Sequence, residues 1–420
     1  MGNRSKQADN FRPASEATEG WVVSIAGLVV NVFMILWKFV PDWMMGWIRW
    51  CPTSVEELET SEMKVLSFIS RKCHGQFVNV GKLWTLEDHR MWTIKLNADQ
   101  RSDRLPVVLL HGFGSGVGLW LLNIDSLSSF RPVYAFDMLG FARSSRPTFS
   151  TEPFEVERQF VESIEVWRNR VGLNRMVLLG HSLGGYIATS YAMAHPDRIA
   201  HLILADPWGF PERPITTSHH YELPMWVKLV ATMLRPFNPL AALRVAGPWG
   251  PQLVDKFRPD LCQKFNPVVQ DKEAIPSYIY HCNAQKPTGE EAFMALTAHF
   301  GWAKHPMISR IHQLREDVPI TFIYGSRSWV DRQTGFQTKF VRLNSYVDVQ
   351  VVQGAGHHVY ADRPELFNAL VQKVCERADI VENRSKQEIE TTSVQKQETS
   401  VEKDSSDSID IDSHFDPQLL

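Results

Sequence analysis

The chain has 420 residues, 44% of them hydrophobic and 22% charged, which is enough apolar material for one large core and room, on length alone, for two or three domains. Its net charge of -3 is unevenly spread, since the last forty residues carry ten acidic and four basic side chains, and no broad basic field points to nucleic acid. The five cysteines (Cys51, Cys73, Cys262, Cys282, Cys375) are odd in number and lack C-x-x-C spacing, which suggests neither a disulfide framework nor a zinc site and fits a reducing, cytosol-facing compartment.

Residues 1–20 are polar and are expected to be disordered. From Trp21 to Trp37 no charge occurs (WVVSIAGLVVNVFMILW), a run just short of the ~20 residues of a spanning helix. Pro41 then suits the start of a second helix in which Trp43, Trp47 and Trp50 fall at i, i+4 and i+7. Three indoles on one face form an interfacial wedge for headgroup level, so residues 21–50 are read as a membrane anchor. Packing of these tryptophans on the protein's own core is the competing reading. A signal peptide is disfavoured by the late start and the missing small-residue cleavage site, and N-myristoylation at Gly2 by Lys6 at the sixth position.

A globular pattern runs from about residue 65 to 379. Lys82 to Lys95 alternates like a hairpin, and apolar strands are expected at 105–110, 133–136, 176–180, 201–205, 319–325 and 347–352. Helical stretches lie between most of them, the pattern of a mostly parallel sheet covered by helices on both faces. The stretch from about 208 to 316 breaks this rhythm and is too long for a bare loop, so it is read as an inserted helical cap. Its aromatic residues, among them Trp226, Phe237, Trp249, Tyr278 and Phe293, suit an acyl-chain lining or ordinary cap packing. Residues 380–420 are Glu, Gln, Ser, Thr, Lys and Asp with few large apolar residues and are expected to be a disordered acidic tail.

The chemistry centres on Gly180-His181-Ser182-Leu183-Gly184, between the apolar strand MVLL and a helical segment. This is the G-x-S-x-G nucleophile elbow in its required context: Gly180 and Gly184 allow a tight strand-to-helix turn that lifts the Ser182 hydroxyl above the sheet. A serine needs a base and an orienting acid, and in this fold they follow in the order Ser, acid, His. Asp331 stands past the strand PITFIYG and His357 past VDVQVV, giving Ser182, Asp331 and His357 as the catalytic set. His358 competes for the role of base and Asp206, after HLILA, for that of acid. The loop His111-Gly112-Phe113-Gly114-Ser115-Gly116 follows strand LPVVLL, where the N–H of Phe113 can join that of Leu183 as an oxyanion hole. Val117 and Leu119 stand where a G-x-G-x-x-G would need its third glycine, so this loop is not a phosphate loop. Paired histidines at 219–220 and 357–358 lack a third ligand at useful spacing; no metal and no cofactor is expected. His357 to Asp362 also satisfies H-x4-D, a spacing seen in glycerolipid acyltransferases, with Asp362 otherwise read as a helix start.

With these motifs the chain resembles the subfamily of α/β-hydrolase domain-containing proteins four and five, within the peptidase S33-like α/β-hydrolase superfamily. The likeness runs from about Trp47 to Val374 through WCPTS (50–54), HGFGSGVGLW (111–120), RPVYAFDMLGFARSSRP (131–147), GHSLGG (180–185), DPWGFPERP (206–214), FNPLAALRVAGPWG (237–250), GWAKHPM (301–307) and GAGHHVYADRPELFN (354–368). Ala142 stands where that family's loop usually has Gly. The resemblance implies an α/β-hydrolase fold and two behaviours. One is a B-type (lyso)phospholipase acting on N-acyl phosphatidylethanolamine and its lyso form. The other, with Asn at the nucleophile, is a lipid-droplet coactivator of a triglyceride lipase with perilipin-like partners. Ser182 sides with the hydrolytic kind. Lysophosphatidic acid acyl transfer through H-x4-D is a further alternative. The implied location is the cytoplasmic face of the endoplasmic reticulum or of lipid droplets.

Overall fold

The computed structural model describes residues 52–98, 102–213, 240–299 and 301–407. The expected disordered N-terminus, the anchor with Trp21, Trp37, Trp43, Trp47 and Trp50, residues 214–239 of the cap with the His219–His220 pair, and the end of the tail lie outside the described residues.

Eight strands form one sheet in the order β1-β2-β4-β3-β5-β6-β9-β10. They are β1 (His74–Gly81), β2 (His89–Leu96), β3 (Val107–Leu110), β4 (Val133–Phe136), β5 (Met176–His181), β6 (Ile199–Ala205), β9 (Ile320–Gly325) and β10 (Val347–Val352); a two-stranded ribbon, β7 (Thr297–His299) with β8 (Trp302–Ala303), lies apart. The hairpin β1–β2 pairs antiparallel onto β4, and the strands from β4 to β10 are parallel. Every residue of β3, β5, β6 and β9 is buried, as continuous apolar runs with helices on both faces require, whereas β1 at the edge exposes half of its residues.

The helices follow from their apolar spacing. α1 (Val55–Leu66) is capped by Ser54, whose Oγ accepts the Glu57 N–H at 3.1 Å, and buries Leu58 and Val65. The domain therefore begins before residue 65. Glu62 on its inward face is buried against the Arg143 guanidinium at 3.0 Å, which is why α1 does not read as amphipathic. α2 (Leu121–Ser128) and α3 (Pro153–Arg170) follow; α3 starts with proline at its first turn, is capped by Glu152, and buries Val156, Phe160, Ile164 and Trp167 at helical spacing. α4 (Leu183–Ala194) springs directly from β5 and is buried from Leu183 to Ala192.

The chain divides into two units, and α5 (Ala241–Ala246) belongs with residues 216–248 to the smaller one. The rest of the cap segment belongs to the main unit: α6 (Gly250–Phe257), α7 (Pro259–Phe265), α8 (Ala274–Ala284) and α9 (Thr288–Leu296), with α8 packed on α1. Three helices complete the unit: α10 (Gln333–Val341), α11 (Val359–Asp362) and α12 (Pro364–Asp407).

α12 corrects the expected tail. It continues through residues 380–407, a stretch without glycine or proline, rather than ending near 379. Its first turns bury Phe367, Val371, Cys375 and Ala378, and two ion pairs tie it down beyond them. Asp379 takes both terminal nitrogens of the buried Arg131, at 3.2 and 3.1 Å, and Glu382 pairs with Arg175. Among the described residues no helix is long and apolar enough to cross a membrane.

Candidate active site

The sheet order reverses at β3, whose neighbours are β4 on one side and β5 on the other, and the crevice beyond the carboxyl ends of such strands is where open α/β sheets bind ligands. Three loops meet there. After β5 the backbone turns so sharply that Ser182 takes φ 53° and ψ -119°, a left-handed conformation that L residues rarely hold. The glycines make the turn possible: a Cβ on Gly180 would overlap the carbonyl of Gly184, and one on Gly184 would stand 2.5 Å from the His111 oxygen. Ala142, in the loop after β4, also holds a positive φ of 39°, which accounts for a glycine preference at that position.

His357 Nε2 lies 3.0 Å from Ser182 Oγ. The acid expected beside this imidazole, Asp331, does not meet it. His357 Nδ1 lies 2.6 Å from Asp206 Oδ2, so the runner-up occupies the place expected of Asp331. Asp331 is exposed, six residues past the end of β9, and its carboxylate accepts the Gln333 N–H at 2.9 Å at the start of α10. Asp206 is the first residue after β6, the strand between β5 and β9, so its carboxylate starts beside the nucleophile. It is fully buried, at φ 46°, and also accepts the Gly325 N–H at 3.2 Å and the Ser328 hydroxyl. The signal available in the sequence was an acid set directly at the end of an unbroken apolar strand.

Burial disfavours charge on both partners. It lowers His357 to about 4, helped by Arg258 and Lys264 and opposed by Asp362. It raises Asp206 to about 7, against the hydrogen bonds from Ser328 and Gly325. The imidazole is thus neutral at physiological pH, its Nδ1–H on Asp206 and its Nε2 free to take the serine proton.

Two further buried histidines hold the loops. His181 is lowered to about 3 by burial, and because a carbonyl only accepts, its Nε2–H donates to the His357 oxygen at 3.0 Å. His111 likewise donates Nδ1–H to the Gly112 oxygen at 2.8 Å while its Nε2 accepts the Met138 N–H at 3.0 Å. These bonds were not legible in the sequence, where the two residues read only as parts of glycine motifs. The His111 loop presses on the elbow, since a Cβ on Gly112 would meet the Ser182 Cβ at 3.1 Å. The Phe113 ring stacks on Phe293 of α9 at 4.3 Å, Phe293 meets Trp208 at 4.8 Å, and the backbone N–H of Trp208 donates to the Ser182 carbonyl at 3.1 Å. An aromatic wall from the cap therefore stands beside the nucleophile. Among the described residues no group of three or more His, Cys, Asp or Glu side chains could hold a metal ion.

The alpha/beta hydrolase fold family matches residues 106–364. The chain is 51% identical over 327 residues to the (Lyso)-N-acylphosphatidylethanolamine lipase of Homo sapiens, covering 78% of this chain and 94% of that protein. It is 46% identical over 327 residues to the Homo sapiens protein named 1-acylglycerol-3-phosphate O-acyltransferase ABHD5, covering 78% and 92%. Among solved structures it is similar to the naproxen esterase of Bacillus subtilis, with a TM-score of 0.52 at 16% identity over 76% of this chain and 96% of that one. A thermophilic esterase from Thermogutta terrifontis gives 0.51 at 20% identity over 72% and 99%. These structural likenesses speak for the fold alone. The matched family and the two relatives, joined to the parallel sheet and its serine elbow, show that the chain belongs to the α/β-hydrolase fold family.

Proposed function

We propose that this chain is a serine lipid hydrolase of the (lyso)phospholipase B kind, acting on N-acyl phosphatidylethanolamine and its lyso form, with Ser182, His357 and Asp206 as its catalytic triad. The observation that carries the reading is the unbroken line of hydrogen-bonding atoms from Ser182 Oγ through both nitrogens of His357 to Asp206. The relative at 51% identity supplies the substrate class.

In this reading Ser182 Oγ attacks the ester carbonyl carbon while His357 Nε2 takes the hydroxyl proton, and Asp206 stabilises the imidazolium that forms. The carbonyl oxygen becomes an oxyanion held by the N–H groups of Phe113 and Leu183, a contribution of roughly 3 kcal/mol per donor. The ester C–O bond then breaks, His357 returns the proton to the leaving lipid alcohol, and an acyl-Ser182 ester remains. Water attacks that ester, gives its proton to His357, and releases the fatty acid with Ser182 restored. The wall of Phe113, Phe293 and Trp208 suits the acyl chain.

A second reading is favoured by the relative named as an acyltransferase: a lysophosphatidic acid hydroxyl replaces water in the last step. The coactivator behaviour, with a triglyceride lipase and perilipin-like partners, would need no chemistry at Ser182. Fluorophosphonate labelling of purified wild type and Ser182→Ala decides the first point: labelling of the wild type alone is expected, and a folded wild type that stays unlabelled would sink the hydrolase. Product analysis with and without lysophosphatidic acid then separates fatty acid release from transfer. Attachment through residues 21–50 to the endoplasmic reticulum or to lipid droplets belongs to the same proposal.

A further inference from the structure

The H-x4-D spacing is left over once His357 is given to Ser182 and Asp206. Both ring nitrogens of His357 are already taken, so the aspartate of that spacing, Asp362, has no ring atom to orient. Its carboxylate works elsewhere. Oδ2 accepts the N–H of Gly356, the residue before His357, at 2.7 Å, and Oδ1 faces the Lys264 ammonium at 3.1 Å. Lys264 comes from α7 of the cap segment, which packs against α11, and the two side chains are each only 14% exposed, so solvent and salt screen the pair weakly. From the other side, Gly325 lies so close that a Cβ there would overlap the Gly356 carbonyl, which leaves the histidine loop little room except along the direction Asp362 holds.

We propose that Asp362 and Lys264 form a clamp between the cap and the histidine loop and act as positioning residues that keep His357 aligned on Ser182. The proposal rests on the triad reading above. It gives the H-x4-D spacing a role in both hydrolysis and transfer, since each needs the same proton relay, rather than a role in transfer alone. The charged and titratable groups facing His357 are Asp206 after β6, His181 at the end of β5, its neighbour His358, Asp362 of α11, and Arg258 and Lys264 of the cap segment. Of these, Lys264 and Arg258 disfavour the imidazolium and Asp362 favours it.

The test uses the full-length protein as wild type, Asp362→Ala, Asp362→Asn, Lys264→Met and Lys264→Arg, read by melting temperature, by the rate of fluorophosphonate labelling, and by kcat and KM on a soluble short-chain ester. Misplacing a catalytic group by a fraction of an ångström lowers kcat by about 10–100-fold, so this loss is expected for Asp362→Ala and Lys264→Met, with KM within about twofold and Lys264→Arg near wild type. The acid limb of kcat/KM should move to higher pH in Lys264→Met, which removes a cation that disfavours the imidazolium, and to lower pH in Asp362→Asn, which removes an anion that favours it. A merely structural pair would not give opposite shifts. Folded Asp362→Ala with unchanged kcat would overturn the clamp, as would a loss of transfer to lysophosphatidic acid with hydrolysis intact. If Asp362→Ala does not fold, the Lys264 variants decide, with unchanged kcat in Lys264→Met counting against the clamp. An unlabelled wild type defeats the triad reading itself, an outcome distinct from a labelled wild type with labelled variants.

Discussion

Ser182 and His357 are joined by an acid that sits in the tightest position of the site. Asp206 accepts three hydrogen bonds from full burial, and its contact with His357 Nδ1 fixes the tautomer that leaves Nε2 open. Asp206→Asn would offer an amide in place of a carboxylate and favour the wrong tautomer, so kcat is expected to fall on the order of 10⁴-fold with the fold intact. Asp331→Asn, on the surface, should leave kcat within about twofold, since exposed substitutions away from such features change little. Steady-state kinetics on one soluble ester checks both, and a large loss at Asp331 would restore it as the acid. Ser328 gives a pH prediction of definite sign. Its hydroxyl stabilises the Asp206 carboxylate, so Ser328→Ala raises the acid's pKa further above its ordinary range. The active form, with Asp206 charged and His357 neutral, then needs a higher pH. The acid limb of kcat/KM, which belongs to the pair rather than to either residue, should move upward, and a profile between pH 5 and 9 would show it.

At the scale of elements, the central strands β3, β5, β6 and β9 were legible because they are buried on both faces and read as largely apolar runs, and β10 because VDVQVV alternates; 133–136 and 347–352 coincide with β4 and β10. The elbow was legible because its glycines have a steric reason. The acid was ambiguous because a strand end tells which residues reach the crevice but not which strand lies next to β5, and that order is set by long-range pairing. The two ends of the domain were misplaced for a shared reason: buried charge reads as surface. Glu62 in α1 is raised to about 8 by burial and by Asp137, against the pull of the Arg143 cation, and Asp379 in α12 is paired with buried Arg131. α12 yields a prediction. Ending the chain after residue 388 keeps the Arg131–Asp379 and Arg175–Glu382 pairs, and melting temperature and activity should stay near their full-length values. Ending it after residue 377 leaves Arg131 buried without its partner. Breaking a buried pair costs about 3–5 kcal/mol, a large share of a domain's total stability, so this shorter form should melt well below the longer one or fail to fold. Equal melting temperatures would show that the Arg131–Asp379 pair is dispensable.

For the whole molecule, the proposed lipid hydrolysis raises the matter of how a buried serine meets a substrate held in a bilayer. Ser182 is only 8% exposed, beside an aromatic wall partly drawn from the cap segment, so on the proposed reading a lipid must leave its bilayer to enter an apolar crevice. Extraction is limited by encounter with the surface. A segment that keeps the domain there raises its effective concentration without touching the chemistry. Residues 21–50 are the segment proposed for this role. Deleting residues 21–50 is therefore expected to move the protein into the soluble fraction and to lower the rate on phospholipid vesicles by about tenfold or more, while kcat on a soluble short-chain ester stays at its full-length value. Sedimentation with vesicles, run beside both assays, checks it. Loss of both activities together would mean that the segment is part of the domain's core, the competing reading of its tryptophans. Carbonate extraction of the full-length protein then separates a wedge lying in the interface, released completely, from a helix that spans the bilayer and is retained.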